Sequence, residues 1–206
     1  MSARKSSVPQ KCLACNVELT SPIVCQGCHK LYPMPQSVDY FGLLGLQRCY
    51  DIDPQTLGAR FVALSRHVHP DFFTSAGEEM GHLSTRLSAE LNEAIKVLQD
   101  PVLRAGYLLE TSGGTSAAED RSVPAEILRE AMTLREKIQE ARDAGDDTAL
   151  QALRKQVDEK RSQLLESIAA LARKLPTASD EEKSMLRQTI NSVKYYNNMG
   201  DLLWTV

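Results

Sequence analysis

The chain has 206 residues, 42% apolar and 25% charged, an ordinary globular composition with room for one or two small domains. A net charge of −3 with no block of lysine or arginine argues against nucleic-acid binding, and no apolar run approaches the roughly 18 residues that cross a bilayer. Only 5% is aromatic and runs rich in Val, Ile or Thr are few, so a mainly α fold is expected, without a large sheet.

The opening "MSARKSSVPQ" is short and polar, unlike a secretory signal, and a reducing cytoplasm is the expected setting. Cysteines follow at Cys12, Cys15, Cys25 and Cys28, spaced C-x2-C-x9-C-x2-C. Each pair forms a tight knuckle that turns two sulfurs inward, and the loop between brings the pairs together. Four thiolates so arranged satisfy the tetrahedral preference of zinc, and one structural zinc per chain is expected. Two disulfides, disfavoured in a reducing compartment, and an iron–sulfur cluster are the competing uses of the same residues. His29 beside Cys28 is expected to stand by rather than ligate, and the solitary Cys49 to be a buried core thiol. "LYPMPQS" (31–37) has two prolines and no helical period, so it reads as a linker closing a knuckle segment of residues 1–37.

Residues 38–110 carry helical periods. "VDYFGLLGL" (38–46) reads as a short helix capped by Asp39. A long helix follows, with Asp53 as N-cap, Pro54 at its first position and Leu57, Phe61, Leu64 and Val68 on one face. Arg60 and Arg66 fall off that stripe, towards solvent. The helix must stop at His69, because Pro70 disfavours helical geometry in the residue before it. Beyond the loop "DFFTSAGEEMG", a second long helix repeats Leu83, Leu87, Leu91, Ala94 and Leu98, and "QDP" turns into the short helix "VLRAGYLLE".

"TSGGTSAAEDRS" within residues 111–123 is small, polar and glycine-containing, a second linker. Residues 124–206 read as an antiparallel three-helix bundle. Its stripes are Ile127, Ala131, Leu134, Ile138 and Ala141, then Leu150, Leu153, Val157, Leu164, Ile168, Leu171 and Leu175, then Leu186, Ile190, Val193 and Leu203. Asp146 or Asp147 caps the middle helix. Beside the first stripe lie Leu128, Met132 and Glu136, and beside the third lie Tyr195, Met199 and Leu202. Large apolar residues next to a complete stripe point to a second contact surface, the alternative being a wide core face in a small bundle.

The tripeptide His69-Pro70-Asp71 sits between two long helices, after Arg60 and Arg66 and before "LNEAIKVLQDP" and "RAGYLL". That set resembles the J-domain, a four-helix module that stimulates ATP hydrolysis by DnaK-class chaperones. The resemblance implies that His69, Pro70 and Asp71, with Arg60 and Arg66, meet the chaperone. Proline stiffens the turn, so imidazole and carboxylate have little entropy left to lose on binding. Many J-domains place a lysine after the aspartate; here it is Phe72.

The order of knuckle, J-domain and helical bundle resembles the HscB family of J-type co-chaperones in iron–sulfur cluster assembly. "DYFGLLGL", "LSRHVHPDFF" and "RAGYLL" are similar to its J-domain, and "ILREAMTLREKIQEA" to the start of its C-terminal domain. A four-cysteine knuckle is the form found in mitochondrial members, which would put a eukaryotic chain in the mitochondrial matrix. The resemblance implies two partners, an HscA-type ATPase chaperone and the cluster scaffold IscU. It also implies a scaffold-binding edge of Leu128, Met132, Glu136, Glu140 and Tyr195. Here Met132 stands for a leucine and Tyr195 for a phenylalanine, while Arg129 departs from a methionine.

No Ser/His/Asp order, paired buried carboxylates or glycine-rich phosphate loop is present, so no catalysis by the chain itself is expected. His29, His67, His69 and His82 show no mutual metal spacing. The competing readings are a general J-protein for another client and a metal-handling knuckle protein.

Overall fold

A computed structural model describes residues 11–204; the opening decapeptide discussed above lies outside the described residues. The fold is mainly helical, and the described residues hold no strand beyond the isolated bridges Lys11–Glu18 and Val24–Leu31. Two compact units follow one another, the first ending at Asp100 and the second starting at Pro101.

In the first unit, the knuckle precedes three helices: α1 (Tyr40–Leu43), α2 (Pro54–Val68) and α3 (Glu78–Gln99). Their starts follow the expected capping chemistry. The Asp39 carboxylate accepts the Gly42 N–H at 2.7 Å and is also held by Arg48. Asp53 accepts the Thr56 N–H at 2.9 Å, with Pro54 at the first helical position. Leu57, Leu64 and Val68 of α2 and Leu87, Leu91, Ala94 and Leu98 of α3 are buried, so the stripes read from sequence are the packed faces. Phe61 and Leu83, on the same stripes, are only half-buried.

Two expectations change here. Leu31 and Tyr32, read as the start of a linker, are buried; Tyr32 packs with Cys12 and Cys25, so the knuckle's own small core extends through Tyr32. Cys49, read as a buried thiol, is exposed, its Sγ donating to the Asp51 carbonyl at 3.1 Å. It lies in the short connection between α1 and α2, where the apolar neighbours that prompted the reading turn inward without it.

The second unit contains α4 (Pro101–Thr111), α5 (Ala125–Asp143), α6 (Asp147–Lys174) and α7 (Asp180–Trp204). The Asp146 carboxylate caps α6 through the Ala149 N–H at 2.9 Å. Ala131, Leu134, Ile138, Leu153, Val157, Tyr196, Met199 and Leu203 form one core cluster across α5, α6 and α7. α6 has 28 residues and α5 only 19, so at 1.5 Å per residue α5 is shorter by about 13 Å. The uncovered part of α6 and α7 is packed by α4, which buries Ala105, Leu108 and Leu109. The division at Asp100 and the border drawn at 111–123 from sequence thus differ in one element, α4.

Segment 112–124 is tied down rather than free. Arg187, 2% exposed, donates to the Thr115 carbonyl at 2.7 and 2.9 Å and pairs with Glu110 at 2.9 Å. Asn191 Nδ2 donates to the carbonyls of Asp120 and Ser122.

Candidate functional site

Three places concentrate chemistry. The first is the cysteine cluster, built from two matching turns. In each, the residue after the second cysteine sits in the left-handed region, Asn16 at φ 60° and His29 at φ 58°. Its N–H bonds the carbonyl of the first cysteine at 2.9 Å, Asn16 to Cys12 and His29 to Cys25. The amides of Ala14 and Gly27 point at the Cys12 and Cys25 sulfurs at 3.4 Å. The turns therefore pre-aim both sulfur pairs.

All four Sγ atoms lie within 4.8 Å of one another, with Cys12–Cys28 and Cys15–Cys25 at 3.5 Å. A metal–sulfur distance of about 2.3 Å in a tetrahedron requires sulfur separations of about 3.8 Å, so the donor set fits a closed four-thiolate metal site. Sulfurs this close cannot all be thiolates unaided. The Tyr32 hydroxyl, donating at 3.2 Å, holds the Cys12 thiol down at about 5. Cys15 is pushed up to about 12: the Val17 amide favours its thiolate, but burial and the neighbouring sulfurs outweigh that. A bound cation reverses this repulsion. His29 is outside the cluster, as expected. Tyr32 was missed, because a residue inside a proline-containing stretch carries no sign that it reaches back to a sulfur.

The second place is the His-Pro-Asp turn. α2 stops at Val68; His69 is extended at ψ 130°, and Pro70–Phe73 form one turn of 3-10 helix. The Asp71 N–H donates to His69 Nδ1 at 3.3 Å, and the Asp71 carboxylate lies 3.6 Å from the same ring. Both side chains face solvent, His69 at 55% and Asp71 at 85% exposure. Arg60 and Arg66 are exposed on α2. The turn is anchored by residues sequence reading did not single out. Ser84 and Ser88 on α3 donate to the Val68 carbonyl at 2.7 and 3.0 Å, capping the last free acceptor of α2.

Against this turn the structure brings together two histidines that sequence spacing did not relate. His29 and His67 stack with centroids 5.2 Å apart and Nδ1 atoms 3.2 Å apart. His82 is exposed, 3.5 Å from Glu78.

The third place is a groove of about 350 Å³ in the second unit, lined by Leu128, Met132, Arg135, Tyr195, Met199 and Leu202 among others. Met132 is 65% exposed and Tyr195 38%, so neither belongs to the core. Met199, read as a surface residue, is buried at 3% and forms the floor. The core stripe of α7 passes from Val193 through Tyr196 to Met199 and Leu203, and Met199 is shared by both faces. Glu136 and Glu140 continue the α5 edge as exposed carboxylates beyond the groove's lining. Tyr196 donates to Glu130 at 3.1 Å; burial, with that carboxylate beside it, pushes its hydroxyl well above the usual range.

Residues 123–202 match the domain model described as the HSCB C-terminal oligomerisation domain. The chain is 32% identical over 145 residues to the iron-sulfur cluster co-chaperone protein HscB homolog of Arabidopsis thaliana, a match covering 70% of this chain and 56% of that relative's length. Its fold is that of human co-chaperone protein HscB, with a TM-score of 0.75 at 23% identity over 94% of this chain and 96% of the other. Chaperone HscB from Vibrio cholerae gives a TM-score of 0.68 at 28% identity over 81% and 95%. Domain model, sequence relative and fold converge on the HscB family as what this chain is similar to, and residues 123–202 carry that family's C-terminal domain.

Proposed function

We propose that this chain is a co-chaperone of iron–sulfur cluster assembly. Its first unit stimulates ATP hydrolysis by a DnaK-class, HscA-type chaperone, and its second unit holds the IscU-type scaffold that carries the cluster. The chain itself catalyses nothing in this reading; it brings a client to another protein's ATPase. The observation that carries the proposal is an exposed, pre-stiffened His-Pro-Asp turn and an apolar groove in one chain that is similar to this family.

The division of labour follows from the chemistry of each place. Asp71 offers a carboxylate for a charge-assisted contact with a chaperone arginine, while Arg60 and Arg66 meet acidic surface. Pro70 and the serine anchors on Val68 remove conformations that binding would otherwise have to remove. In the groove, Leu128, Met132 and Tyr195 supply apolar area, and Glu136 and Glu140 set the register of a partly basic client. The cysteine cluster holds one structural zinc through Cys12, Cys15, Cys25 and Cys28, leaving no open coordination position. Five free thiols suit a reducing compartment, the cytoplasm or the mitochondrial matrix.

The test is the steady-state ATPase rate of a DnaK-class chaperone with this protein, with and without an IscU-type scaffold. Stimulation by the chain alone, raised further by scaffold, is expected. Stimulation indifferent to scaffold would mean a J-protein for another client, and no stimulation would remove the co-chaperone reading.

A further inference from the structure

The four-cysteine knuckle has, on its metal alone, only a structural duty. Its contact with α2 gives it another. His29 is the left-handed residue that closes the second cysteine turn, so its ring projects from the knuckle's tip. That ring stacks on His67, two residues before His69. Beside the stacked pair opens a groove of about 380 Å³ lined by His29, Arg66, His67, Phe72 and Phe73. Phe72 and Phe73 belong to the same 3-10 turn as Pro70 and Asp71, so the groove is continuous with the His-Pro-Asp loop. Phe72 is 69% exposed and meets the His69 ring edge-on at 6.2 Å, an arrangement that leaves much of the phenyl face to solvent.

We propose that the knuckle is part of the chaperone-docking surface: His29 and His67 wall a groove that receives a segment of the ATPase chaperone. This rests on the co-chaperone reading given above and extends it to residues of the knuckle. The chemistry of the lining identifies the occupant. Two phenyl rings provide apolar surface, Arg66 a positive charge and the two imidazoles polar edges, and no carboxylate is among the groove's lining residues. An aliphatic side chain flanked by an acidic residue fits both features. Phe72 then stands where a basic residue would reach the chaperone directly, and the attraction is carried by Arg66 instead, with the imidazole pair supplying a flat wall.

The experiment titrates a DnaK-class chaperone with the full-length protein carrying His29→Asn, and reads both half-saturating concentration and maximal ATPase rate. Asparagine occupies the equivalent left-handed position in the first turn, Asn16, so the knuckle accommodates it. His29→Gly, equally free at positive φ, is a second variant, and metal content and circular dichroism are followed for both. A rise of roughly fivefold in half-saturating concentration with the maximal rate kept is expected, the equivalent of losing about one kcal/mol of contact. Scaffold affinity, measured by calorimetry, stays the same.

An unchanged half-saturating concentration in a metal-loaded variant overturns the proposal, and so does a loss confined to scaffold binding. His69→Gln run alongside separates the two levels. If it abolishes stimulation while both His29 variants behave as wild type, only the knuckle's role fails. If it too leaves stimulation intact, the co-chaperone reading itself fails and takes this proposal with it.

Discussion

In the proposed function, the His-Pro-Asp turn and the α5–α7 groove work by opposite means. In the first unit the backbone does the work: a proline ends α2, an extended residue follows, and two serines from α3 cap the carbonyl left behind. The groups on display are polar, exposed and small in area. In the second unit the backbone is uninterrupted helix, and the site comes from apolar side chains left over once the core stripes are filled. A site defined by geometry fails all at once when one polar group is changed; a site defined by area weakens in proportion to what is removed.

The comparison is broken most sharply by His69→Gln or Asp71→Asn. Either change is expected to abolish ATPase stimulation with helicity unchanged, because the side chains face solvent and their bonds are confined to the turn itself. Removal of Cys12 and Cys15 together is expected to release the metal and unfold the knuckle, while the second unit's helices persist on their own core. Elemental analysis and circular dichroism check it, and intact protein without metal would contradict it.

A smaller effect sharpens the contrast within the second unit. Ile138→Ala removes a side chain that is 2% exposed and is expected to cost about 2 to 5 kcal/mol of stability in a denaturant titration. Met132→Ala, one helical face away and 65% exposed, is expected to stay within about 0.5 kcal/mol. Joined with Leu128→Ala, it is expected to weaken scaffold binding by about 1 to 3 kcal/mol, roughly tenfold or more. Similar stability losses for Ile138→Ala and Met132→Ala would mean that the groove is ordinary core.

The smallest effect concerns acid. Glu119 is held below its ordinary value by the Ser116 amide and hydroxyl, and Asp120 by the Ser122 hydroxyl and amide. Their contribution is complete above the ordinary values of 4.5 and 3.8 and is lost as pH falls through the lowered folded values. Asp120→Asn is therefore expected to lower the melting temperature slightly near neutrality and to leave it unchanged in strong acid, which flattens the acid limb of the profile.

Much of this was legible in the sequence, for local reasons. Asp39, Asp53 and Asp146 cap helices because the residues that follow them in the chain need acceptors. The cysteines cluster because each pair closes its own turn. The stripes of α3 and α5 lie on the core because the period of a helix repeats in the chain. What escaped was long-range or shared. Tyr32 reaches back twenty residues to Cys12, His29 meets His67 across thirty-eight, and Arg187 holds Thr115 across seventy-two. Met199 lies on two faces at once, which a single stripe cannot express. The packing of α4 depends on the difference in length between α5 and α6, a property of two helices rather than of either sequence.

The central claim is that one chain carries two independent sites, one for the chaperone and one for the scaffold. Its most direct test crosses two variants with two assays. His69→Gln is expected to lose chaperone stimulation and bind scaffold with wild-type affinity. Leu128→Ala with Met132→Ala is expected to lose scaffold affinity and stimulate the chaperone alone as well as wild type. Loss of both activities in either folded variant would contradict the account.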